Sequence, residues 1–159
     1  MNEVRLTPPQ IIESFRTALG EGFVEGNIYE REVGLEKHVF RSLWITIGKG
    51  SLLDAVRHVM SLEPHPHLAM ITGSDRGDDI EVLYHFTIYF GGVLEELNLG
   101  LRFSLPKSEP VVPTVTGFIP GAVYSERELQ EFFGVTVSGI PDNRRLLLEG
   151  VVPEGVHPW

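Results

Sequence analysis

The stretch YSERELQEFFGVTVSGIPDNRRLLL, from Tyr124 to Leu148, sets Glu126, Glu128 and Glu131 among Arg127, Arg144 and Arg145. Carboxylates brought together can share general acid–base work when their surroundings separate their pKa values. A helix works against that here, because Glu126 and Glu128 project about 200° apart at 100° per residue. Local physics explains the order of the charges better. With Ser125 as N-cap, Glu128 falls at N3, the S-x-x-E capping box, and Tyr124 and Leu129 occupy the two positions of a hydrophobic staple. Glu126 and Glu128 then lie in the first turn, where the helix dipole favours negative charge by about 0.3–1 kcal/mol each. Arg127 and Glu131, four apart, can pair on the surface, and Gly134 suits the position just past the end. The spacing predicts a short helix over 125–133 with Leu129, Phe132 and Phe133 on its apolar side.

Other groups with chemical potential carry less. His65-Pro66-His67, with His58 nearby, has two metal-ligating side chains, but Pro64 and Pro66 make the segment a turn and no carboxylate stands at ligand spacing. Asp75-Arg76-Gly77-Asp78-Asp79 is acidic, yet Arg76 and Gly77 break the alternation that a calcium loop needs. It reads as an exposed loop between two strands. Gly48-Lys49-Gly50-Ser51 lies between a strand and a helix as a phosphate loop would. The P-loop pattern, however, requires Gly where Leu43 stands and Ser or Thr where Gly50 stands. No G-x-S-x-G occurs.

Composition narrows the classes further. A formal charge of -9 over 159 residues argues against nucleic acid as the main ligand, since phosphate recognition needs clustered Lys and Arg. Direct contact with anionic lipid is disfavoured on the same ground. The absence of cysteine excludes disulfides, cysteine nucleophiles, thiolate-held iron–sulfur clusters and cysteine-ligated metals. No apolar run reaches the ~18–20 residues that span a bilayer, and the first ten residues do not resemble a secretory signal, so a cytoplasmic protein is expected. The mean hydropathy of +0.03 fits either a generous core or apolar surface covered by a partner.

The elements that must position these groups follow from periodicity. Thr7-Pro8 starts a helix whose stripe is Ile11, Ile12, Phe15, Ala18 and Leu19, and Gly20 stops it. Residues 22–33 suggest a short strand and 38–47 a β-branched, aromatic one. Ser51 caps a second helix, with Asp54 as its capping-box partner and Pro64 beyond its end. In 79–90, Ile80, Val82, Tyr84, Phe86, Ile88 and Phe90 take every second position. After a turn at Gly91-Gly92, Leu97, Leu99, Leu101, Phe103 and Leu105 alternate likewise, so the two segments predict a long antiparallel hairpin with one buried face. The expected fold is α+β: a mostly antiparallel sheet with helices packed on one face, plus an extended C-terminal tail. The expected division is a 1–134 domain and a 135–159 tail that wraps a partner, because EGVVPEGVHPW has too few periodic apolar residues to fold alone. In the isolated chain such a tail is expected to be protease-sensitive after about Asn143.

Glu126-Arg127-Glu128, Glu131, Phe132 and Phe133, followed by Arg144, Leu146 and Leu147, resemble the signature of the small hydrophilic subunit of respiratory complex I and its relatives. The lead-in VPTVTGFIPGAVYSERE is similar too, and the resemblance is strong from about Val112 onward. Quinone-reducing members carry His or Lys where Ile140 stands. The phrase GIPDNRR is closer to the corresponding segment of energy-converting membrane-bound [NiFe] hydrogenases.

That resemblance implies a cofactor-free, non-catalytic subunit on the cytoplasmic side of a membrane-bound redox complex, hydrogenase-type or otherwise ferredoxin-linked and ion-pumping. Its implied partners are the large [NiFe]-type or complex I-like catalytic subunit and a neighbouring iron–sulfur subunit of the peripheral arm, with membrane contact only indirect. The residues it marks for the partner interface are Glu126, Arg127, Glu128, Glu131, Phe133, Pro141, Asp142, Arg144, Arg145 and Leu147. The arginines would form bidentate pairs with partner carboxylates, against the plainer reading of a solvated face. The alternatives are the same role in a quinone-reducing complex I, or an independent soluble enzyme or ligand-binding α+β protein.

Overall fold

The computed structural model describes residues 5–90 and 96–159, so the turn expected at Gly91-Gly92 lies outside the described residues. The chain runs α1 (Pro8–Leu19), β1 (Phe23–Val33), β2 (His38–Ile47), α2 (Leu52–Leu62), β3 (His67–Asp75), β4 (Asp79–Ile88), β5 (Leu97–Pro106), β6 (Val111–Pro113), α3 (Ala122–Phe133) and β7 (Thr136–Ser138). Five strands form a sheet in the order β1-β2-β5-β4-β3. Both flanking pairs are antiparallel hairpins, and β5 returns between them, antiparallel to β4 and parallel to β2.

The alternation in β4 and β5 buries as its spacing requires. Tyr84 stands opposite Leu101 and Val82 opposite Phe103, and all four are fully or almost fully buried. Leu43 and Ile45 of β2 continue the same face. All three helices cover it. Gly26 of β1 lies directly under Ile12 of α1, and Gly73 of β3 lies under the Phe133 ring of α3; a Cβ on either would stand 2.8 or 2.7 Å from those side chains. On the opposite face the Trp44 ring rests on Gly100, where a Cβ would come within 2.6 Å of it.

Three local expectations are corrected. Residues 23–33 form an eleven-residue strand, longer than the mixed sequence suggested, because β2 pairs with β1 along its length. Ser51 precedes α2 without a side-chain capping bond, and Asp54 pairs with Arg57 instead. The third helix begins at Ala122 with Gly121 as its N-cap, so Ser125 lies inside it and the Ser125–Glu128 capping box does not form. Ala122 is 2 % exposed, and burying that first turn outweighs the local capping signal.

The core also runs past residue 134, where the tail was expected to start. Val135 and Val137 are buried, and β7 pairs in parallel with β6, a strand inside the proline-studded connector. The unit β6–α3–β7 is thus a small β-α-β crossover against the main sheet, with α3 packed on β3.

Candidate functional site

The charges of the 126–145 stretch lie on α3 and on the segment after β7, and the fold turns most of them inward. Glu126 is fully buried: its Oε1 accepts the Val115 N–H at 2.7 Å and its Oε2 the Thr114 hydroxyl at 2.6 Å. Burial pushes this carboxyl up from its ordinary value, against the opposing pull of those two hydrogen bonds. The Tyr84 hydroxyl is buried without a hydrogen-bond partner among the described residues, and its pKa is pushed above the ordinary tyrosine range by burial and then by the charge of Glu126.

Arg127 is 8 % exposed. Its Nε donates to the Arg144 carbonyl at 2.6 Å, its Nη2 to the Arg145 carbonyl at 2.7 Å, and its Nη1 to the Asp142 carboxylate at 3.3 Å. One turn on, Glu131 is 4 % exposed and accepts the Leu147 N–H at 2.9 Å and the Leu148 N–H at 2.6 Å. Burial would raise its pKa, but the amides of Leu148, Leu147 and Leu146 and the charge of Arg145 outweigh that and hold the carboxyl below its usual value. The i,i+4 surface pair expected between Arg127 and Glu131 is therefore absent. Both side chains sit on one helix face, as the spacing requires, yet each reads backbone.

Asp142 pairs with Arg144, whose Nη2 and Nε approach to 2.8 and 2.9 Å. Those bonds to the guanidinium and to the Arg144 N–H hold the Asp142 carboxyl well below the usual carboxylate range. Arg145 turns back on its own segment and donates to the carbonyls of Val152, Pro153 and Val156. Gln130 joins both parts, accepting the Val137 N–H at 2.9 Å and donating to Asn143 at 2.8 Å.

Of the residues marked by the sequence, Arg127, Glu131, Asp142, Arg144, Arg145 and Leu147 form one cluster. The others stand apart. Glu126 faces the core, Phe133 rests over Gly73, Glu128 is half-buried at a shallow groove edged by Phe132, and Pro141 is exposed. Sequence reasoning missed Thr114, Gln130, Asn143 and His157. Thr114 holds Glu126 through its hydroxyl, Gln130 and Asn143 pair through their side-chain amides, and His157 meets the Glu131 carbonyl, contacts that carry no charge pattern.

A cleft of about 340 Å³ lies between α3 and the following segment, bordered by Gln130, Gly134, Asn143, Glu154 and His157. The cluster as a whole recognises peptide, with guanidiniums on carbonyls and a carboxylate on amides. The other sequence candidates do not join it. The acidic loop is internally paired, Asp75 with Lys107 at 2.7 Å and Arg76 with Glu81 at 2.8 Å. Among the described residues, no group of three or more His, Cys, Asp or Glu is placed to hold a metal ion. No helix of the described residues is long and apolar enough to cross a membrane.

Comparison with known proteins adds to this geometry. A family model described as "Respiratory-chain NADH dehydrogenase, 30 Kd subunit" matches residues 45–159. The chain is 27 % identical to the membrane-bound hydrogenase subunit beta of Pyrococcus furiosus over 158 residues, covering 99 % of this chain and 84 % of that one. It is 46 % identical over 126 residues to Hydrogenase-4 component G of Escherichia coli, covering 77 % of this chain but 22 % of that longer protein. To a subunit of the NADH-quinone oxidoreductase of Mesorhizobium japonicum it is 35 % identical over 144 residues, covering 87 % and 66 %. Two solved structures share the fold. The trypsin-resistant fragment of Nqo5 superposes with a TM-score of 0.61 at 22 % identity, covering 86 % of this chain and 99 % of that one. A chain of the membrane-bound sulfane sulfur reductase, an archaeal respiratory membrane complex, gives 0.63 at 18 % identity, covering 92 % and 75 %.

Proposed function

The chain belongs to the respiratory-chain NADH dehydrogenase 30 kDa subunit family, and from that membership we propose a non-catalytic role in a hydrogenase-type, ion-pumping redox complex. That it is a subunit of a complex I-like or membrane-bound hydrogenase complex follows from the family and its relatives. The finer reading is that it docks on the large catalytic subunit and braces the peripheral arm on the cytoplasmic side. It holds no cofactor of its own and meets the membrane only through its neighbours. The observation that carries the hydrogenase branch is the match to the membrane-bound hydrogenase subunit beta along nearly the whole of both chains. Ile140, where quinone-reducing relatives carry His or Lys, supports the same branch.

Burial narrows the residues proposed to meet the partner. Arg144 and Leu147 point outward, with side-chain and residue exposures of 83 % and 56 %. Pro141 is exposed and Glu128 is half-buried, both outside that cluster. Of the remaining members of the interface set, Arg127, Glu131, Asp142 and Arg145 support that surface from beneath, whereas Glu126 and Phe133 pack inward, against Thr114 and Val115 and over Gly73.

Affinity purification of the tagged chain from its own cells tests the reading. The expected co-purifying protein is a large subunit with paired cysteines suited to a [NiFe] site. In this assay Arg144→Glu combined with Leu147→Asp should lower its recovery by about tenfold or more while the isolated chain keeps its fold. Recovery of a complex I-like large subunit lacking those cysteines would move the chain to the quinone-reducing branch, which the likeness to the Mesorhizobium japonicum protein favours. A purified chain that carries a stoichiometric ligand and turns over a substrate alone would overturn the subunit reading.

A further inference from the structure

We propose that α3 is an internal template for residues 139–159, so that this segment is ordered within the chain itself and offers the partner a preformed surface. At the C-terminal end of a helix the last carbonyls have no partner within it. The Gln130 carbonyl takes the Gly134 N–H at 3.0 Å. The next two are met by the far end of the segment, the Glu131 carbonyl by His157 Nδ1 at 2.9 Å and the Phe132 carbonyl by the Trp159 N–H at 3.1 Å. A carbonyl only accepts, so His157 carries its proton on Nδ1. Gly134 makes the approach possible, because a Cβ there would lie 2.9 Å from the His157 ring and its φ of +69° suits glycine.

Along the side of the helix, Arg127 and Glu131 hold the near end of the same segment through two carbonyls and two amides. Between these anchor points the chain turns at Leu148, whose carbonyl accepts the Val151 N–H at 3.1 Å and the Val152 N–H at 3.2 Å. Arg145 closes the turn from inside through its three carbonyl contacts. The contacts of Arg127, Glu131 and Arg145 run nearly all to backbone, which fixes the path of the segment while sparing its outward side chains. Three of those are large and apolar: Leu147, Val151 and Trp159 are 56 %, 74 % and 71 % exposed. An ordered loop that keeps such groups in solvent has its ordering entropy met internally, and docking then costs less. Arg127, Glu131 and Arg145 are positioning residues for this surface. What the surface meets rests on the subunit reading above; the internal ordering does not.

Residue-resolved hydrogen exchange on the full chain, purified alone, tests the ordering. The Leu147 and Leu148 amides should exchange about 100-fold more slowly than in a free peptide. Glu131→Ala should return both to within about threefold of the free rate while the β4–β5 amides keep theirs, and Glu131→Gln, which retains one acceptor oxygen, should fall between. Free-peptide exchange of Leu147 and Leu148 in the unsubstituted chain overturns the proposal, as does undiminished protection in Glu131→Ala. Should Glu131→Ala also release β4–β5, the unsubstituted chain decides alone. The docking reading fails separately: protected amides in a chain that recovers no large subunit leave the template standing and remove the partner.

Discussion

At the scale of single residues, the buried charges of α3, Glu126, Arg127 and Glu131, are bound to the chain's own backbone, and the clearest titrating site is a histidine far from them. Ser14 Oγ donates to the Ile11 carbonyl at 2.7 Å, so toward His58 Nε2, 2.9 Å away, it can only accept, and the neutral ring carries its proton on Nε2. Phe15 packs edge-on against the same ring at 4.6 Å. Burial between α1 and α2 lowers the His58 pKa from 6.5, and His85 behaves alike. A histidine whose folded pKa is depressed stabilises the fold above its unfolded pKa. That contribution is lost as pH falls from 6.5 toward the folded value. Urea unfolding between pH 7.5 and 5 should therefore show a midpoint that falls with pH. His58→Gln should flatten part of that profile; an unaltered slope would remove His58 from the account.

At the scale of elements, two glycines decide how closely helices approach the sheet. Gly26 admits Ile12 of α1 and Gly73 admits Phe133 of α3. The two phenylalanines of α3 are thereby told apart, since Phe133 packs against the core while Phe132 edges the neighbouring groove. Gly73→Ala would set a Cβ 2.7 Å from the Phe133 ring and force α3 away from β3, at a cost of about 1–3 kcal/mol. Gly117→Ala, where a Cβ would meet nothing within 4 Å, is the control and should stay within about 0.5 kcal/mol. Equal effects in denaturant titrations would mean that the α3–β3 contact is looser than the geometry states. The early start of α3 belongs to this scale too. A capping box competes for about 1 kcal/mol. Ala122 and Glu126 are both buried near the start of the helix, where their tertiary contacts outweigh that amount.

At the scale of the molecule, one core links the first helix to the last strand, with Ile11, Leu101 and Val137 in the same buried cluster. A single cooperative transition is expected, with tryptophan fluorescence and far-ultraviolet circular dichroism superimposing in urea. A separate early step reported by both signals would make β6–α3–β7 an independent unit. Much of this architecture was legible beforehand. Alternation from Ile80 to Ile88 and from Leu97 to Leu105 identified β4 and β5, Thr7 and Gly20 bracketed α1, and the 126–147 signature identified the family. Periodicity records which face of an element is buried, and that is a local property of the chain. It does not record which strand lies beside which. The parallel seam between β2 and β5, joining residues more than fifty positions apart, is settled only when both hairpins share a core. The fate of the charges was hidden for a related reason. Arg127 and Glu131 are bound by carbonyls and amides, which every residue possesses, so their partners leave no trace in side-chain identity and only the folded path of residues 142–148 reveals them.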